Sequence, residues 1–266
     1  MSVAPPDRLP SGDFRPAAVR SLELFDRAVE LCWLPERRNR RGRPLASRPA
    51  IARDHGAEII ATEAIWRGEG VVMTPNRHPF AASAAILWAA EFRREPDLAL
   101  LTNGSSIAAA VAGTFLLNTV GAAASIVRSH GHLLGERSGF LAGLEYEPAS
   151  SAIVARFPDV RLARARTPCP LLLLRIDGDR DQRLAVALQL AALRATAAFN
   201  LIDDGSTTWF CPRPLELPAP HFPQALGAAE LFGRWCYDEE ADFARADADS
   251  LRAALELSGM PRDAGI

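Results

Sequence analysis

The chain has 266 residues, 48% of them hydrophobic and 23% charged, a balance that suits a soluble globular protein with one large domain or two small ones. A formal net charge of −2 gives no case for a nucleic-acid backbone partner, and all 30 basic side chains are arginine, which excludes a Schiff-base lysine, a P-loop lysine and a lysine general base. Cys32, Cys169, Cys211 and Cys236 form no CxxC pair, so a zinc ribbon and a thioredoxin-type motif are excluded too; reduced thiols, and no apolar tract long enough to span a bilayer, lead us to expect a cytoplasmic protein without a membrane partner.

Residues 1–16, rich in proline, serine, glycine and charge, read as a flexible or loosely docked arm. From Pro16 to Leu34 the apolar positions Val19, Leu22, Leu24, Phe25, Val29 and Leu31 recur at helical spacing and predict a helix. The run Glu36 to Pro44 is a dense arginine loop. It is either a solvated turn or an anion-binding loop, because guanidinium forks match phosphate oxygens. Glu58–Thr62 and Gly70–Thr74 read as short strands, the second entering the rigid turn Pro75-Asn76-Arg77-His78-Pro79. That turn is open to two readings, a self-satisfied Asx-type turn or a display of Asn76 to a ligand hydroxyl.

Residues 83–94, alanine-rich with Trp88 and Phe92 four apart, predict a helix, and Leu98–Leu101 and Phe115–Leu117 predict strands. Strands are also expected at Ser151–Arg156 and Leu171–Ile176, and an amphipathic helix at Asp179–Ala198. Leu201-Ile202, the turn Asp203-Asp204-Gly205-Ser206 and Thr207–Cys211 form a hairpin, and Ser250–Leu257 a final helix. Strands mixed with helices without βαβ alternation favour an α+β class with a mostly antiparallel sheet. No GxGxxG, GxxxxGK[ST] or GxSxG motif occurs.

The most informative stretch is Ser125 to Gly135, S-I-V-R-S-H-G-H-L-L-G. On an extended backbone His130 and His132 point to one face. Such a pair suits a metal site or a histidine nucleophile, and a chance pairing in a loop is the plain alternative.

The order N-R-H-P-F at 76–80, H-G-H at 130–132, F-N-L-I at 199–202, F-C-P-R at 210–213 and A-L-G-A-A-E at 225–230 resembles the histidine-triad-like nucleotidyltransferases and phosphorylases. Within that superfamily it is most similar to the diadenosine tetraphosphate and GDP-hexose phosphorylases, with galactose-1-phosphate uridylyltransferase more distant. The resemblance implies one domain over 17–266, an antiparallel sheet curved into a half-barrel with packed helices. It implies transfer of a nucleoside monophosphate from a nucleoside-diphosphate sugar or dinucleoside polyphosphate to a phosphate-type acceptor. His132 would be the nucleophile and His130 its positioning or phosphate-contacting neighbour. Asn76 and Arg77 would lie near the nucleotide, Asn118 and Ser129 near its phosphates. Arg128 and the 37–43 arginines, Arg41 and Arg43 among them, would neutralise charge, as could Arg213. No protein-held metal or cofactor is implied, beyond a divalent cation that could accompany the nucleotide.

One departure stands out. Members of this group read H-x-H-x-Q or H-x-H-x-H, whereas this chain has Leu134 at the third position, which can donate no hydrogen bond to a phosphoryl oxygen. The alternative is therefore a nucleotide-binding protein, or an altered hydrolase, on the same fold.

Overall fold

Strand pairing organises the chain. The computed structural model describes residues 4–40 and 54–265. Ten strands form one wholly antiparallel sheet in the order β3-β4-β5-β7-β6-β11-β12-β10-β9-β8. They are β3 (Trp66–Gly68), β4 (Val71–Pro75), β5 (Ala84–Ala89), β6 (Thr114–Asn118), β7 (His130–Leu134), β8 (Tyr146–Pro148), β9 (Val160–Ala165), β10 (Leu174–Gly178), β11 (Ala198–Asp203) and β12 (Thr207–Arg213). A second sheet joins the hairpin β1 (Ala18–Leu24) and β2 (Arg27–Trp33) to β13 (Arg234–Tyr237), which runs parallel to β2.

The large sheet is buried on both faces, and β6 shows why its apolar run is continuous. Phe115 and Leu117 enter one core with Leu100, Leu101 and Ile107 of α2 (Leu98–Ala110) and Leu184 and Leu190 of α4 (Arg180–Ala192). Leu116, between them, enters the opposite core with Leu31 and Trp235 of the small sheet and Leu251 and Leu255 of α7 (Ala248–Ser258). The remaining helices are α1 (His55–Glu63), α3 (Gly139–Gly143), α5 (Ala228–Phe232) and α6 (Glu240–Arg245). Among the described residues no helix is long and apolar enough to cross a membrane, and no group of three or more His, Cys, Asp or Glu side chains could hold a metal.

The antiparallel α+β class, the 198–213 hairpin with Gly205 at φ +86°, and the helices α4 and α7 agree with the sequence reading. Five other elements differ from it. The helix expected over 16–34 is the hairpin β1–β2, turned at Phe25 and Asp26 with φ of +55° and +58°; the side chains of β1 alternate in exposure, a period of two that the apolar positions alone concealed. The alanine-rich 83–94 segment is β5, where pairing with β4 and β7 outweighs alanine's helix propensity. The strands expected at 58–62 and 98–101 are helical, started by the side chains of Asp54 and Asp97, which accept from Ala57 N and Leu100 N. The segment 151–156 ends in a short 3-10 turn rather than a strand.

Part of the N-terminal arm is docked. Gly12 N donates to Ala82 O, Ala84 N donates to Pro10 O, and Leu9 is buried.

The central load on the back of the sheet is a buried ion pair. Arg183 of α4 lies 3.3 Å from Asp203 of β11, donates to Ser105 Oγ at 2.9 Å and Thr208 Oγ1 at 3.0 Å, and both charges are essentially inaccessible. Removing one partner strands the other charge in the core. Asp203→Ala should lower unfolding free energy by about 3–5 kcal/mol in urea titrations, whereas Arg183→Met with Asp203→Leu should recover most of that loss.

Candidate active site

β7 lies between β5 and β6, and its register sets the site: His132 pairs with Ile86 and Leu116, His130 with Trp88. Gly131, between the histidines, faces the opposite core. A Cβ there would sit 2.3 Å from the Phe115 ring, so only glycine lets β7 lie this close to β6.

His130 is buried and stacks on Trp88, with ring centroids 4.6 Å apart and planes at 27°. Its Nδ1 lies 2.7 Å from Arg128 O. A carbonyl can only accept, so Nδ1 carries the proton and Nε2 presents a lone pair. Burial holds the imidazole below its ordinary pKa, with the bond to Arg128 O opposing that shift in part. His130 is thus a neutral, fixed ring. Trp88 is itself anchored by donating from Nε1 to Thr74 Oγ1 at 2.9 Å.

His132 is half-buried. Its Nδ1 lies 3.4 Å from Asn76 Nδ2, while Asn76 Oδ1 accepts from His78 N at 3.0 Å. The 75–80 turn is therefore an Asx turn, and it brings Asn76 beside the second histidine. At 3.4 Å the amide steers the ring without fixing its tautomer. The ring of Phe80 meets His132 edge-on at 5.5 Å, and Arg37 lies over Phe80 with Cζ 6.0 Å from the ring centre. Burial pushes the Cys236 thiol beside Arg37 up to about 11, and the Glu230 carboxyl, also near Arg37, is raised by the same cause. Arg37 is thus the described member of the arginine loop that reaches this region; Arg41 and Arg43 lie outside the described residues.

Arg128, expected to neutralise phosphate charge, and Arg77, expected near the nucleotide, both hold α1. Arg128 donates from Nε and Nη2 to Asp54, the residue that starts α1, and from Nη1 to the carbonyls of Ala89 and Ala90 at 2.8 Å. That guanidinium keeps the Asp54 carboxyl below its usual range. At the other end of α1, Glu63 accepts from Arg77 Nε at 2.9 Å and Nη2 at 2.7 Å. Clamped at both ends, α1 lays Ile60 against Val72 and Trp88. Ser129 is buried, with its N donating to Arg93 O.

Asn118 continues the β6 alternation onto the face of His132. Its Oδ1 accepts from Asn200 Nδ2 at 2.7 Å and from Ala228 N at 2.8 Å. Asn200 also donates to Ala122 O and accepts from Arg213 Nη1 at 2.6 Å. Arg213 is neither a surface residue nor a phosphate ligand in this arrangement, since it is buried and donates further to Ser258 O and Leu215 O. The network ties β6, β11 and β12 to the start of α5 and to the loop before β7. Trp88, Phe80 and Asn200 were given no role in the site from sequence, although Phe80 and Asn200 lie in the motifs at 76–80 and 199–202. For Trp88 the signal is strand register, which cannot be seen until the pairing of β5 is known.

Leu134 shares the face of His132 but is fully buried, paired with Ala84 and Thr114 inside the core under the small sheet. The third motif position is therefore core here. Leu134→Gln should cost about 1–3 kcal/mol in chemical unfolding by burying an amide, with no gain in any rate that depends on His132. A second expectation follows from His130. Its folded pKa lies below the unfolded value of about 6.5, so the unfolded chain binds the extra proton and stability falls as pH drops through that range. His130→Asn, which keeps a donor for Arg128 O, should flatten this decline when melting is followed from pH 7.5 to 5.5.

No protein-family model matches the sequence, and no curated protein does. Among solved structures the chain is similar to yeast Ap4A phosphorylase Apa2 in complex with Ap4A, with TM-score 0.67 and 12% identity over 93% of this chain and 92% of that one. The same enzyme in complex with AMP gives 0.66 and 14% identity over 93% and 90%. At such identities the likeness is one of fold, and it spans nearly the whole of both chains. The chain has the fold of yeast Ap4A phosphorylase, an α+β fold built on a large antiparallel sheet.

Proposed function

We propose that this protein is a nucleotidyltransferase or phosphorylase acting on a nucleoside-diphosphate sugar or a dinucleoside polyphosphate, with His132 as covalent nucleophile. The observation that carries this reading is the setting of His132. It is a half-buried imidazole beside Asn76 and Phe80, next to a buried neutral His130. The fold match to an enzyme whose complexes contain Ap4A and AMP supports the substrate class.

The chemistry follows from imidazole, which near neutral pH is both a competent nucleophile and, once phosphorylated, a good leaving group. In the first half-reaction a ring-nitrogen lone pair of His132 attacks the α-phosphorus of the donor. The N–P bond forms as the bridging P–O bond breaks, and the departing phosphate oxygen takes the bonding pair. In the second, an oxygen of inorganic phosphate or a sugar phosphate attacks the same phosphorus, and the N–P electrons return to the ring. His130, neutral and immobile, keeps the neighbouring backbone in place, and Arg37 is the described arginine best placed to offset phosphate charge. A divalent cation, if required, would arrive with the nucleotide.

A second reading, a nucleotide-binding protein without turnover, is favoured by one observation: Leu134 offers no donor at the third motif position and lies in the core. The two readings separate in one experiment. Ap4A and a panel of nucleoside-diphosphate sugars are incubated with and without inorganic phosphate, and products are resolved by anion-exchange chromatography. The transferase reading predicts phosphate-dependent cleavage that drops by about three orders of magnitude or more in His132→Ala. Nucleotide-dependent thermal stabilisation without cleavage supports the binder. Cleavage undiminished in His132→Ala overturns the role given to His132.

A further inference from the structure

A cavity of about 750 Å³ lies at the far end of the large sheet, where β8, β9 and β10 form its last three strands. Its floor belongs to the same face as His132. Cross-strand partners run in one row, His132–Leu116–Ile202–Trp209–Arg175–Ala163–Pro148. Four strand spacings of about 4.8 Å separate His132 from Arg175, roughly 19 Å. The core around Leu116, Ile202 and Trp209 lies between them, so this is a site apart from the histidines.

The hollow has a simple cause. Ala163 puts a methyl group between Pro148 and Arg175, and the segment joining β8 to β9 adds Val154 and Phe157 to the lining. The charged and aromatic groups of the floor engage one another. Arg175 lies over the Tyr146 ring at 5.3 Å and donates from Nε to Asp177. Asp177 accepts a second bond from Thr207 Oγ1 at 2.9 Å, and Tyr146 OH accepts from Trp209 Nε1 and donates to Leu141 O. The charge that remains is Arg161. It stands opposite Asp177 in register, lines the cavity and is exposed, and among the described residues its side chain forms no ion pair. The lining thus offers an apolar hollow of ligand size, a fixed neutral floor and one uncompensated cation.

We propose that this cavity binds a small amphipathic anion, with its aromatic or aliphatic body in the hollow over Ala163 and its carboxylate, sulfonate or phosphate group on Arg161. Charge complementarity selects the anion, because Arg175 and Asp177 neutralise each other and leave Arg161 in excess. The proposal stands independently of the role given to His132.

Two fluorescent probes of nearly equal shape test it on the intact protein: 8-anilinonaphthalene-1-sulfonate and its uncharged counterpart N-phenyl-1-naphthylamine. The sulfonate should bind saturably at one site. Arg161→Glu should weaken it by about tenfold or more, the worth of one charge-assisted contact, and leave the neutral probe within about twofold. Ala163→Trp should abolish both, with Val154→Trp, at another lining position, filling the hollow if the first variant does not fold. The proposal is overturned if the sulfonate does not bind, if Arg161→Glu affects both probes alike, or if binding persists in a folded variant with the hollow filled.

Discussion

The contact on which the site depends is the approach of Gly131 to the ring of Phe115. A strand with any side chain at that position could not lie where β7 lies between β5 and β6, and the two histidines would lose their register against Trp88 and Leu116. The back of β7 is therefore pressed into the core with α2, while its front carries His130 and His132 two residues apart. From that register follow the stack of His130 on Trp88, the hydrogen bond of His130 to Arg128 O and the edge contact of His132 with Phe80. The pair is asymmetric. Burial makes the first histidine a neutral fixture and leaves the second partly accessible.

Around this strand the charged residues divide between framework and site. Arg128 and Arg77 clamp the ends of α1 through Asp54 and Glu63, and Arg213 braces Asn200 and through it Asn118. Each of these guanidiniums is matched by carboxylate or carbonyl acceptors within the fold. Arg37 differs, since it rests on the face of Phe80 beside a thiol and a buried carboxyl. Leu134 belongs with the framework as well: it is two residues beyond His132 on the same face, yet the small sheet covers it completely. Any electrophilic assistance to a phosphoryl group must come from elsewhere in the site.

The parts of this arrangement that were legible in the sequence are those set locally. The 198–213 hairpin announced itself through Asp-Asp-Gly-Ser, α4 through Asp179 before an amphipathic run, and the i, i+2 geometry of the histidines through the extended segment that holds them. The parts that were not legible are set by distant pairing. Alanine-rich β5 is a strand because β4 and β7 flank it, and the β1–β2 hairpin hides behind apolar positions that also fit a helix. The acceptors of Arg128 and Arg213 lie 74 and 45 residues away at Asp54 and Ser258, so composition alone left those arginines equally suited to a ligand. The placement of His130 and His132 on one face did not depend on those elements, because it needs only an extended backbone at 130–132.

The most direct test of a nucleophilic His132 is the mass of the intact protein after incubation with Ap4A in the absence of any acceptor. The account predicts an adduct of one nucleoside monophosphate less water on His132. It should be labile to acid as a phosphorus–nitrogen bond is, should discharge on adding phosphate, and should be absent from His132→Ala. An unmodified mass under conditions in which Ap4A is cleaved, or an adduct that persists in His132→Ala, would contradict it.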